Sequence, residues 1–221
     1  MEKMSIISLD SVFYRVNIIH VMIQLGQLAE MRTGFPFRGR IDRAERADCL
    51  LVQMGDVRAN AGVIESVQTH VNLPGEPDKH QLHYGDVLFT GRGTRNEAAT
   101  FLISDCKVVA APHLFVLRTD GRVAFPCFLT WFLNLAETQE KIHAIRRGSA
   151  VPFIPMSAFA RLEVSLPSLE VQNRIVELQK LNFKEEALMD EIRRKRSTFV
   201  NRVMAEAVRK SSVKCAQSVN Q

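Results

Sequence analysis

From Leu169 to about Lys210 the chain has apolar residues at helical spacing, many charges, and neither proline nor glycine. Val171, Ile175, Leu178, Leu181, Leu188, Ile192, Phe199 and Val203 follow one another at intervals of three, four or seven residues. That is the narrow stripe of a coiled-coil seam. A helix over 170–210 runs roughly 60 Å at 1.5 Å per residue. A globular core cannot cover a stripe of that length, so it needs a second long helix, from this chain or from another copy. The pattern predicts a head followed by a dimerisation arm.

The 221 residues suit one large domain, or one domain with an appendage. Apolar residues make up 46% and charged residues 24%, both ordinary for a globular chain with a sizeable core. The net charge of +5 is unevenly placed. Residues 25–169 hold 16 Lys and Arg against 15 Asp and Glu, and residues 170–221 hold 11 against 7. The head is therefore nearly neutral, and an anion-binding face there must come from the arrangement of its charges. Cys49, Cys106, Cys127 and Cys215 form no CxxC pair, which argues against a zinc site and a disulfide framework. They read as reduced, buried thiols. Asp10, Arg15, Asn17 and His20 interrupt the apolar N-terminus, and nothing reaches ~18 uninterrupted apolar residues. A signal peptide or membrane span is not expected, and the protein reads as cytoplasmic.

Local signals divide the head into short elements. Residues 1–24 form a cap segment, read as helix or strand. Residues 25–31 look like a strand-to-helix entry that ends at Gly34 and Pro36. Residues 38–48 are a charged loop. Strands are expected at Cys49–Met54, Val63–Val67, Val87–Thr90, Phe101–Ile103, Lys107–Ala110 and Leu114–Arg118. Gly85–Asp86 turns into the third of these, and Gly91 and Gly93 open the loop that follows it. Pro126 begins a helix that continues from Phe128 to Ile145, where proline at the first turn costs nothing. Arg146, Arg147 and Gly148 end it as cations and glycine end helices.

Four of these pieces resemble a known family, the specificity subunits of type I restriction–modification systems. They are Leu25-Gly26-x-Leu28-Ala29-x-Met31-x-x-Gly34, Leu82-x-x-Gly85-Asp86-Val87-Leu88-Phe89-Thr90, Gly148-Ser149-Ala150-Val151-Pro152-x-Ile154 and Leu166-Pro167-Ser168-Leu169-Glu170-x-Gln172-x-x-Ile175. Their order and spacing cover residues 25–210. The resemblance implies an α+β fold: a mixed α/β target-recognition domain over 1–168, then a long coiled-coil-forming helix over 169–212 and a flexible tail over 213–221. The usual member holds two recognition domains and two long helices paired antiparallel. This sequence carries one of each, the half-size form, so two copies are expected to pair through antiparallel C-terminal helices. Such a dimer would read a bipartite inverted repeat, because operator symmetry mirrors protein symmetry.

A subunit of this kind is not an enzyme and holds no cofactor. The resemblance implies double-stranded DNA as target, with a methyltransferase subunit that binds S-adenosylmethionine, and a restriction translocase subunit, as the partners that supply the chemistry. DNA recognition needs cations and hydrogen-bond donors on loops, because phosphate contacts set position and base-edge contacts set sequence. Arg serves both, since its planar fork fits phosphate oxygens and the guanine edge. The candidate DNA-binding residues are Arg32, Arg38, Arg40, Arg43, Arg58, Arg92, Thr94, Arg95, Asn96, Arg146, Arg147 and Ser149. Gly91, Gly93 and Gly148 are read as letting backbone approach the duplex. Phe35 and Phe37 read as core residues rather than wedges between bases. The run Arg193–Arg196 reads either as a solvated helix face offset by Asp190 and Glu191 or as a contact with a partner subunit or DNA.

Other signals stay weak. His80-x-x-His83 has no third metal ligand nearby, and Gly91-x-Gly93 lacks the third glycine of a nucleotide fingerprint. Asp56 and Asp86 each follow a glycine and read as turn residues rather than a nuclease pair. Two alternatives remain beside DNA recognition: a structural or regulatory dimer that competes for methyltransferase partners without reading DNA, and a nuclease hidden in the head.

Overall fold

The computed structural model describes residues 21–37, 49–73 and 77–218, with side chains up to Glu206. Residues 1–20 of the expected cap segment and the charged loop 38–48 lie outside the described residues. The chain divides into a compact head ending at Val176 and a helical unit beginning at Glu177.

The head is built on a five-stranded sheet made of β2 (Ala29–Thr33), β9 (Leu114–Thr119), β6 (Val87–Thr90), β7 (Ala98–Phe101) and β4 (Val63–Ile64), in that order. Every pairing is antiparallel except β4 with β7. A second sheet has the order β5 (His70–Val71), β3 (Cys49–Val52), β8 (Lys107–Ala110). A further pair joins β1 (Val21–Gln24) to β10 (Glu163–Leu166), antiparallel. The helices are α1 (Leu25–Leu28), α2 (Pro126–Asn134), α3 (Ala136–Ala144), α4 (Met156–Phe159) and the long α5 (Leu169–Ser218).

All four residues of β6 and of β7 are buried. Such strands read as unbroken apolar runs because both faces are covered. Successive side chains point to opposite faces. Val87 and Phe89 therefore join a core with Phe132, Leu133 and Phe159, while Leu88 joins a second core with Leu51, Val108 and Val109. The sheet is filled on one side by helices α2 to α4 and on the other by the second sheet.

The elements depart from expectation in several places, and α5 runs to Ser218, past the expected end at residue 212. Residues 25–33 run helix then strand, the reverse of the expected order. β4 holds only Val63 and Ile64, because its pairing with β7 stops there. β7 begins at Ala98, ahead of the expected Phe101. The helix expected through Ile145 is broken at Leu135, whose φ of −61° and ψ of 141° are extended. Cys49 is buried as expected, but Cys106 is exposed and Cys127 half-buried.

Candidate nucleic-acid interface

The strand registers bring the arginine-bearing loops to one end of the five-stranded sheet. Thr33 at the end of β2 faces Phe115, and Thr90 at the end of β6 faces Leu114. The loop 91–97 leaves this end and returns as β7. Gly62, which closes the loop carrying Arg58, accepts a bond from Thr100 N at 2.9 Å just ahead of the parallel β4. The loop 111–113 precedes β9 at the end where Thr33 and Thr90 lie. The end of β2, the loop 91–97 and the loop 111–113 thus converge because their strands share a sheet, while Gly62 lies level with Val87 at the other end of β6.

Backbone bonds lace a further segment onto the loop 91–97. Gly93 N donates to Pro152 O at 2.8 Å, and Ile154 N to Gly91 O at 2.8 Å. Arg147 and Phe153 exchange backbone bonds of 2.9 and 2.8 Å across the turn that Gly148 opens at φ +84°. Arg146 adds a side-chain tie, its Nη2 donating to Thr94 O at 2.8 Å. The loops 91–97 and 146–153 therefore form one braced surface. It exposes Arg92, Thr94, Arg95, Arg147 and Ser149. Two exposed apolar side chains, Val151 and Phe153, stand among these cations. Beside them opens a cleft of about 430 Å³ lined in part by Thr33, Arg92, His113, Phe115, Val151 and Phe153. Arg92 Nη1 lies 3.3 Å from His113 Nε2. Burial and the Arg92 charge push the His113 pKa below its ordinary value, which favours the neutral ring.

Some expected donors have other occupations. Asn96 is buried, and its Nδ2 donates to Thr90 O at 2.7 Å. It holds the root of the loop with its side chain turned inward, away from the exposed face where the sequence reading placed it. Arg32 sits on β2 rather than in a loop and is half-buried, with Nη2 donating to Gln81 O at 3.0 Å. Desolvation lowers its pKa, partly offset by Asp86. Arg58 is exposed on its own loop. Arg38, Arg40 and Arg43 lie outside the described residues. Gly91 is buried, and a Cβ there would stand 2.7 Å from the Phe115 ring, so it is a glycine for packing rather than for approach to a duplex. Gly93, at φ +94°, has open space around it. Phe35 is core, edge-on to Phe37 and to His80. His80 is half-buried, and among the described residues no group of three or more His, Cys, Asp or Glu could hold a metal.

Two structural anchors escaped the sequence reading. Asp86 is 1% exposed and grips Arg118 through both carboxylate oxygens at 2.7 and 2.8 Å, while Oδ2 also accepts from His83 N at 2.9 Å. Its position after Gly85 signalled a turn, but Arg118 is distant in sequence. Gln172 is fully buried on the first turns of α5. Its Oε1 accepts from Phe125 N at 2.9 Å, and its Nε2 donates to Pro167 O at 2.9 Å and Val123 O at 3.1 Å.

Along α5 the expected seam changes character. Val171 and Ile175, in the head, are half-buried. Leu178, Leu181, Leu188, Ile192, Phe199 and Val203 are all exposed. Arg193 and Lys195 pair with Asp190 and Glu191 at 3.0 and 2.7 Å. Among the described residues no helix is long and apolar enough to cross a membrane.

Comparison with known proteins adds independent findings. No family model matches the chain. It is 25% identical over 142 residues to the type I restriction enzyme HindI specificity subunit of Haemophilus influenzae, a match covering 63% of this chain and 31% of that protein. The chain thus spans about a third of the curated relative it matches. In fold it resembles the S subunit of a type I restriction–modification system from M. genitalium, with a TM-score of 0.52 at 16% identity, covering 75% of this chain and 39% of that one. It equally resembles the HsdS subunit from Thermoanaerobacter tengcongensis, with a TM-score of 0.52 at 22% identity, covering 85% and 45%. The mixed α/β head followed by a long helix is the architecture shared with these structures. By its sequence motifs, by a sequence relative and by its fold, the chain resembles the specificity subunits of type I restriction–modification systems.

Proposed function

We propose that this chain is a non-catalytic DNA-recognition subunit of a type I restriction–modification system. The observation that carries the reading is the braced surface of Arg92, Thr94, Arg95, Arg147 and Ser149 at one end of the sheet. Its guanidiniums suit phosphate and base edges, and its hydroxyls add uncharged donors. The exposed Phe153 and Val151 give the same surface an apolar point for a base face or a thymine methyl group. A methyltransferase subunit, and a restriction translocase where one is encoded, would supply the chemistry. The exposed seam of α5 supports pairing of two copies, and a two-fold dimer reads an inverted repeat.

A duplex pool of random sequence, retarded on a gel and sequenced after selection, tests this. Enrichment of a bipartite inverted repeat is the expected result. A dimer that enriches nothing, yet co-purifies with the methyltransferase subunit, would replace this reading with a competitor for partners. Arg92→Ala and Arg147→Ala should each weaken binding on every sequence and flatten the slope of log affinity against log salt by about one per lost phosphate contact in each head. Binding insensitive to salt would remove this surface from the reading.

A further inference from the structure

The seam of α5 is not uniformly apolar, and its polar members are placed so as to choose a partner. With Leu178 at the first seam position of a heptad, that position recurs at Glu185, Ile192 and Phe199. The second seam position falls on Leu181, Leu188, Lys195 and Arg202. All eight side chains are exposed. A carboxylate and two cations therefore lie in a stripe that a second helix would cover.

We infer that α5 pairs antiparallel with α5 of a second copy of this chain, in a register centred on Asp190 that sets Glu185 of each copy against Lys195 of the other. The inference rests on the antiparallel homodimer expected from the resemblance and fixes its register.

Complementarity across the seam selects this arrangement. Centred on Asp190, the layers are Leu188 with Ile192, Leu181 with Phe199, and Glu185 with Lys195. Each occurs twice by symmetry. Only Arg202 meets an apolar partner, Leu178, toward the ends of the overlap. There a long stem can lie on the leucine while its guanidinium reaches water. A slip of one heptad in one direction gains Glu185 against Arg202 but sets both Lys195 against Ile192 and Glu206 against Leu181, two mismatched layers where the Asp190-centred register has one. The opposite slip sets Lys195 against Leu178 and Glu185 against Leu188. A parallel pair stacks Glu185 on Glu185, Lys195 on Lys195 and Arg202 on Arg202. Buried like charges are strongly unfavourable, and polar seam residues are the usual device for fixing register at some cost in stability. The present partners of the cations do not compete strongly. Lys195 holds Glu191 at 2.7 Å and Arg202 holds Glu206 at 3.4 Å, both as exposed pairs one turn apart.

The test is light scattering on the full chain through a dilution series, for wild type, Glu185→Lys, Lys195→Glu and the double exchange. Wild type should show about twice 25.0 kDa. Each single variant turns both ionic layers repulsive and should weaken the dimer at least about tenfold, while the double exchange restores opposite charges and recovers the wild-type dimer. A parallel pair would be indifferent to all three variants, since its count of like-charged layers does not change. A wild-type dimer unmoved by the single variants, or not recovered by the double exchange, overturns the register and leaves the homodimer standing. A wild-type monomer removes the homodimer and the register together, while DNA selection on the same preparation judges recognition separately.

Discussion

Asp86 shows how one buried carboxylate can set the position of several elements. It closes the turn into β6 through His83 N and ties that strand to β9 through Arg118. Asp86→Ala would strand the guanidinium and leave the His83 amide without its acceptor. Arg118 keeps 37% of its side chain exposed, so the loss should be about 2–3 kcal/mol, below the 3–5 kcal/mol typical when a fully buried pair is broken. Urea unfolding should show a lower midpoint at unchanged slope, with Asp86→Asn losing less because an amide oxygen still accepts from His83 N. His113 supports a prediction of opposite sense. Its lowered pKa means that the free protein favours the neutral ring. That preference stabilises the fold above the ordinary histidine value and is lost as pH falls toward the depressed one. A phosphate beside Arg92 and His113 would raise the pKa again, so DNA binding should take up a proton and tighten as pH drops from 7 toward 6. Fluorescence anisotropy titrations at several pH values check this, and His113→Gln should flatten the profile. Arginines in these loops are legible in the sequence, but which of them stay outward is not. Arg95 and Arg147 stay exposed while Arg32 and Asn96 turn inward, because Gln81 O and Thr90 O lie where only the folded sheet places them.

Elements were legible where their signals were local. β6 and β8 match their expected bounds because a Gly-Asp turn opens the first and each is a short apolar run in the sequence. The break at Leu135 was not legible, because its cause is non-local. Asn134 at the end of α2 uses its amide as a strand would, accepting from Ala98 N and donating to Ala98 O, both at 2.9 Å. Gln139 on α3 then donates to Leu133 O and Asn96 O, crossing the break. Helical periodicity carries no trace of a side chain that caps a sheet edge. The start of α5 follows the same logic. Its first turns belong to the head through Gln172, whose amide meets three backbone groups of the segments on either side. Gln172→Leu preserves apolar packing and helix propensity but leaves Phe125 N, Val123 O and Pro167 O without this partner. The expected cost is about 2–3 kcal/mol of head stability. Hydrogen exchange should show faster exchange at Phe125 and in the first turn of α2, with little change in β6. Exchange that rises evenly over the head would mean that Gln172 is not the local anchor.

At the scale of the whole molecule, pairing adds reach to recognition. A single head offers a small patch of cations on a nearly neutral body, which suits a weak and strongly salt-dependent contact. When two heads are joined, binding of the first half-site makes binding of the second intramolecular. The gain over one half-site is then set by effective concentration, of order 10²–10⁴ when the spacing fits. Affinity should therefore peak at a preferred spacer and recur at intervals of about 10–10.5 base pairs, because the second head must return to the same face of the duplex. Leu188 and Ile192 are 52% and 60% exposed, so replacing both with lysine should leave each head folded while removing the apolar centre of the seam. Leu188→Lys/Ile192→Lys should bind a single half-site as the wild-type protein does and lose the full-site advantage. Anisotropy titration of both proteins against full and half sites separates the two contributions. If wild-type protein binds the two duplexes equally, the heads act alone and the exposed seam serves some other contact. If the variant loses half-site binding as well, the seam supports the head itself, contrary to the division of the chain at Val176.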